Sequence, residues 1–231
     1  MKEEKSLFLR ALLHVFYILG EDFMETKKKN KHLIMKIAQV GILSAIATIL
    51  YLIRFPLPFI FPSFLDIQFS NLPAIIGGFA VGPIGGCIIV IIKTILKLFI
   101  EGTGTSYVGE LADVIIGIMV VLTTSLLYKQ KKTKKRAAFS LGVGSILWIV
   151  SGILANWLVL VPFYIEFFMN GNVNIFIGMC SVIPGINESN YMMMYLIFGA
   201  GLFNLLLSTL TSLVTFFVYK RISILFDKME E

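Results

Sequence analysis

Lys93, Lys97 and Glu101 follow one another at i, i+4 intervals in an otherwise apolar run, and Glu110 and Asp113 come just beyond the turn-forming stretch EGTGTS. Carboxylates beside ammonium groups can act as acid and base, pair across two helices, or hold a polar ligand. No nucleophile–base set and no metal-ligand set accompanies them, so catalysis ranks below ion pairing and ligand contact, which stay open together for Lys93. Asn156 and Asn204 are the other polar groups placed inside apolar sequence. A carboxamide offers a donor and an acceptor side by side, which suits the imide-like edge of a heteroaromatic ring; hydrogen bonding between helices is the alternative. Asp66, with Phe64 beside it, sits in the proline-broken stretch FPLPFIFPSFLDIQFS.

The elements that carry these groups are built for lipid. Of 231 residues 57% are hydrophobic and only 15% charged, and mean hydropathy is +0.87, too little polar surface to cover a soluble globule. The expected fold class is all-α, a polytopic membrane protein. Cys87 and Cys180 lie in apolar surroundings without metal-ligand spacing and read as packing residues. His14 and His32 are isolated, and no phosphate-binding glycine motif is present, so any energy from ATP must come from a partner.

Six transmembrane helices are predicted, at about Leu33 to Ile53, Leu72 to Gly82, Ile84 to Ile100, Tyr107 to Tyr128, Ala138 to Tyr164 and Met192 to Tyr219. The second is short and needs residues of the preceding loop to complete it. Residues 1–32 form an N-terminal extension, an interfacial helix or translated sequence upstream of the start, with a cleaved signal ranked last. The membrane domain covers 33–224 and a cytoplasmic tail 225–231. Seventeen of the twenty Lys and Arg fall from Lys2 to Lys36, in YKQKKTKKR and after Tyr219, all on one side if six spans are threaded. Because basic loops stay inside, both termini are predicted to be cytoplasmic. The lysine runs flank spans and lack interleaved aromatics, so no nucleic-acid partner is expected.

Three outer connections remain, and the first is expected to fold over the protein as a cap rather than as a strand or helix, since Pro56, Pro58 and Pro62 supply no N–H donors. Its aromatics, Phe55, Phe59, Phe61 and Phe64, exceed what a connector requires. On the first span Gly41 and Ala45, with Ala38 nearby, make a small-residue face that admits close approach of another helix, within the chain or from a partner.

The stretches LDIQFSNLPAIIGGFAVGPIGG, IKTILKLFIEGTGTSYVGELADVIIG and GLFNLLLSTLTSLVTFFVYKRIS resemble the substrate-binding (S) component of energy-coupling factor (ECF) transporters, of the riboflavin type, from about Met35 to Ile224. The resemblance implies a six-helix component of a prokaryotic cell membrane that captures a vitamin outside. It implies no enzymatic activity and no cofactor; the partners are a membrane coupling subunit and two cytoplasmic ABC ATPases that hydrolyse ATP. Carried over residue by residue, the flavin-contacting carboxamides fall on Asn156 and Asn204, the loop backbone at the ligand on Thr103, Gly104 and Thr105, and the face toward the coupling subunit on Gly41 and Ala45. Three positions depart from the family pattern. FNLLL stands for FNLxK, placing Leu207 where a lysine is common and where Leu207→Lys is expected to be tolerated; GELAD stands for GELAN at Asp113; and FSN stands for FSD at Asn71. Another vitamin or a flavin phosphate held by Lys93 or Lys97 is the second reading, a membrane enzyme or a scaffold the third.

Overall fold

The computed structural model describes residue 31 and residues 33–230, and the expectation for the N-terminal extension lies outside the described residues. Helix α1 runs Leu33–Leu52. It buries Gln39, Leu43, Ala47 and Tyr51, one residue per turn, with Ser44 and Thr48 alongside. Two residues of the loop after α1, β1 (Phe55–Pro56), pair antiparallel with β2 (Asp66–Ile67), Phe55 opposite Ile67. This corrects the expectation of a loop without strand. Proline is tolerated there because a two-residue edge ladder asks little of its missing N–H.

Helix α2 (Asn71–Ala80) leads through Gly82, at φ 123°, into α3 (Pro83–Glu101). Ten residues rise only about 15 Å against a hydrocarbon core of about 30 Å, so α2 does not cross by itself. It packs against α3, α4 and α9. Helix α4 (Val108–Gln130) is followed by Thr133, whose Oγ1 accepts from Arg136 N and caps α5 (Lys134–Ala155). Among the described residues, five helices are long and apolar enough to cross a membrane: Leu33–Leu52, Pro83–Glu101, Val108–Gln130, Lys134–Met169 and Tyr191–Leu225.

The last two are each interrupted by a π-helical segment. Asn156–Leu160 joins α5 to α6 (Val161–Met169), and Tyr195–Gly201 joins α8 (Tyr191–Met194) to α9 (Leu202–Glu230). Pro162, at the start of α6, lacks a donor and crowds the carbonyl one turn back, and a wider turn just before it relieves both demands. In the second segment Gly199 makes room for the ring of Tyr195, since a Cβ there would stand 2.7 Å from Tyr195 Cδ2. The connection from α6 to α8 carries a short helix, α7 (Val173–Met179).

Two apolar clusters result. The larger runs through the bundle from Leu43 and Ile75 to Leu207 and Tyr219. The smaller one gathers Val161, Ile165, Met169, Phe176, Cys180, Ile183, Tyr195 and Ala200. The capping loop touches both: Phe61 meets Phe203 edge-on at 5.5 Å, while Phe64 lies 6.0 Å from Phe176. Cys87 and Cys180 are both free. Burial pushes the Cys180 thiol up to about 12, in keeping with a packing residue.

Helices α2 and α3 bring their backbones together at Gly86, where an added Cβ would lie 2.8 Å from Ala74 O and 2.9 Å from Gly78 Cα. Those are backbone atoms that cannot swing aside. Gly86→Ala is therefore expected to cost about 1–3 kcal/mol through overpacking, read as a lowered unfolding temperature in detergent. A variant as stable as the parent would show that the two helices separate freely.

Candidate functional site

The α3–α4 turn is organised by one carboxylate. Glu110, in the first turn of α4, accepts from Lys97 Nζ at 2.8 Å through Oε1, and from Thr105 Oγ1 at 2.6 Å and Thr103 Oγ1 at 3.0 Å through Oε2. Lys97 Nζ also donates to Gly102 O at 3.0 Å. Thr103 Oγ1 in turn receives Thr105 N and Tyr107 N, and Thr105 Oγ1 receives Gly109 N. So many bonds hold Ser106 (φ 50°) and Tyr107 (φ 67°) in the left-handed region that non-glycine residues usually avoid. Lys97 and Glu110 are each only 6% exposed at the side chain.

Above this network lies a cavity of about 400 Å³, lined by Tyr51, Arg54, Phe64, Asp66, Lys97, Glu101, Gly102, Thr103, Gly104, Thr105, Gly109 and Glu110. Arg54 ties its rim together, with Nη2 2.9 Å from Glu101 Oε2 and Nε 3.6 Å from Asp66 Oδ2. A second cavity of about 340 Å³ is mostly apolar, lined by Phe64, Gly104, Thr105, Tyr164, Phe168, Met169, Ile175, Phe176 and Met179. The two meet at Phe64, Gly104 and Thr105. Together they make one bipartite site, hydroxyl- and charge-lined on one side and aromatic on the other.

The two asparagines lie outside both cavities. Asn156 Nδ2 donates to Gly152 O at 2.9 Å, and its Oδ1 accepts from Tyr195 Oη at 2.9 Å. Asn204 Nδ2 donates to Ala200 O and lies so close to Gly152 that a Cβ there would stand 2.7 Å from that nitrogen. The fold thus brings both carboxamides to Gly152. Neither lines the two cavities; Tyr195, packed 5.9 Å from Phe64 and 5.1 Å from Phe176, stands between Asn156 and the apolar one.

Lys93 lies below both cavities, fully buried. Its Nζ donates to Ser70 Oγ and Asn71 Oδ1, each at 2.6 Å, and to Asp113 Oδ2 at 3.1 Å, and it stands 4.9 Å from the Tyr51 ring centroid. The ion-pair reading of the acidic and basic residues is realised twice, as Lys93–Asp113 and Lys97–Glu110, while Glu101 turns to Arg54. Two departures from the family pattern, Asn71 and Asp113, prove to flank this one ammonium. Leu207 is 4% exposed inside the larger cluster, so the expected tolerance of Leu207→Lys meets a packed apolar wall and an unpaired charge. Tyr164, Tyr195 and Arg54 had no signal in the sequence; only the α5–α6 and α8–α9 packing brings the two tyrosines to the loop.

A family model described as "ECF transporter, substrate-specific component" matches residues 35–219. The chain belongs to that family. The S component is similar to the riboflavin transporter RibU of Staphylococcus aureus (strain TCH60), 29% identical over 197 residues that cover 85% of this chain and 92% of that one. It is 34% identical to the riboflavin transporter FmnP of Bacillus subtilis (strain 168) over 135 residues, 58% of this chain and 70% of that one. Among solved structures, the S component of a bacterial ECF transporter superposes with TM-score 0.61 at 29% identity, covering 85% of this chain and 98% of that one. The S component is therefore a multi-pass protein of a prokaryotic cell membrane, in a family of transporter subunits rather than enzymes.

Proposed function

We propose that the protein binds riboflavin in the bipartite outer site and delivers it for uptake. The observation that carries this reading is the junction of an aromatic and a hydroxyl-lined cavity at Phe64, Gly104 and Thr105. Riboflavin has the same division, a flat tricyclic ring joined to a polyhydroxyl chain. The ring fits the side of Phe64, Tyr164, Phe168 and Phe176, and the chain fits the side of Thr103, Thr105 and Asp66. Tyr195 carries the site's aromatic floor and hands its hydroxyl to Asn156. The names of the riboflavin transporters similar to this chain support the same ligand.

In this reading six segments make up the membrane domain, with α2 completed by the capping loop, and both termini face the cytoplasm. A membrane coupling subunit docks on Ala38, Gly41 and Ala45 of α1, all exposed, and two ABC ATPases supply the energy. Gly41 suits that role, since a Cβ there would meet nothing within 4 Å.

Quenching of riboflavin fluorescence by purified protein tests the ligand. The parent is expected to bind with high affinity, Thr105→Val to bind roughly tenfold more weakly through loss of the loop's anchor on Glu110, and Asn156→Leu roughly tenfold more weakly because the Tyr195 ring, packed on Phe64 and Phe176, loses the acceptor that fixes it. Absence of quenching by the folded parent would exclude riboflavin. Unchanged affinity in both variants would move the ligand away from this site.

A further inference from the structure

At the lysine-rich end of the bundle, far from the outer cavities, a groove of about 690 Å³ opens between the first turns of α1 and the α2–α3 turn. Its walls are Ile37, Val40 and Gly41 of α1 and Ile84, Ile88 and Ile92 of α3, so it borders the face proposed for the coupling subunit, and the groove is that of the S component alone. Ile37 is 63% and Ile84 75% exposed, so the walls look outward into the bilayer. Lys36, Lys129 and Lys132 line it as well. Among the described residues, none of these three ammonium groups pairs with a carboxylate. Ser125, on the floor beside Gly78, is 1% exposed and its hydroxyl has no hydrogen-bond partner among the described residues.

We propose that this groove seats an anionic phospholipid, its phosphate held among Lys36, Lys129 and Lys132 and one acyl chain laid along the isoleucine walls. An apolar groove at membrane depth is solvated by acyl chains, and here three cations line the same groove and offer a partner to the polar end of such a chain. Lysines beside a span end lie at headgroup level and favour an anionic headgroup over a zwitterionic one. The first turn of α3 adds the positive end of its dipole, with Pro83 at its start and Ile84 and Gly85 facing the groove. Neither the charge nor the groove would be selective by itself; their convergence is what picks one lipid from the leaflet.

The test uses the full chain in nanodiscs of equal phosphatidylglycerol and phosphatidylcholine, followed by native mass spectrometry of the lipid retained on release. The parent is expected to retain phosphatidylglycerol preferentially, and the Lys36→Gln, Lys129→Gln, Lys132→Gln triple variant to lose that preference by about tenfold or more. Ile88→Trp, which fills the groove and leaves the lysines in place, is expected to lose it as well, with Val40→Phe as a second filler should the first not fold. Equal retention of the two lipids by the parent, or undiminished preference in the triple variant, would overturn the proposal. Preference that survives both filling variants would also overturn it, by assigning the attraction to surface charge without a seat.

Discussion

Asp113→Asn is expected to destabilise the protein by about 3–5 kcal/mol, and adding Asn71→Asp to recover most of that loss. Lys93 is fully buried and Asp113, at 3.1 Å, is its one carboxylate among the described residues. Removing one member of a buried pair leaves an uncompensated charge, the costly case. The remedy is written in the geometry: Asn71 Oδ1 already lies 2.6 Å from the ammonium, so a carboxylate at 71 restores neutrality from the opposite side. In a chain of this size the single variant should unfold roughly 10 °C lower. The measurement is thermal unfolding in detergent of parent, both single variants and the double. A double variant no more stable than Asp113→Asn would sink the idea that the two positions exchange one charge around Lys93.

Gly41→Phe is expected to bring riboflavin uptake in cells to background while affinity of the purified protein stays within about twofold, the range of a neutral surface change. The fold has no need to reject the new ring, because a Cβ at Gly41 meets nothing within 4 Å. The neighbouring Ala38 and Ala45 are exposed as well, so a flat small-residue face would acquire a protrusion at its centre. Radiolabelled uptake beside a fluorescence titration separates the two effects. Normal uptake would remove this face from coupling, and lost binding would mean that it supports the ligand site instead.

Span positions were legible because length and apolar continuity dictate them. Leu33–Leu52 and Pro83–Glu101 depart from the predicted bounds by one residue at most at each end. The helix expected over Ala138 to Tyr164 begins instead at Lys134, since Thr133 caps it and charged residues end an apolar run without ending a helix. Both π-helical segments escaped, as a wide turn leaves no mark in hydropathy; Pro162 and Gly199 explain them only once their neighbours are known. The ion pairs were legible as a cluster from their i, i+4 spacing. The uncharged partners of Lys93 were not, because it reaches Ser70 and Asn71 more than twenty residues back and only the packing of α2 on α3 brings them there. Asn156 and Asn204 could be read as a pair, but not their meeting at Gly152 or the tyrosine that shields one of them.

The small-residue face of α1 and the lining of the two outer cavities have no residue in common. Natural selection can therefore alter them on separate schedules. In the proposed reading, substitutions at Phe64, Tyr164 or Phe176 would retune what is captured and leave Ala38, Gly41 and Ala45 untouched, so a lineage could acquire a new nutrient without reinventing its means of docking.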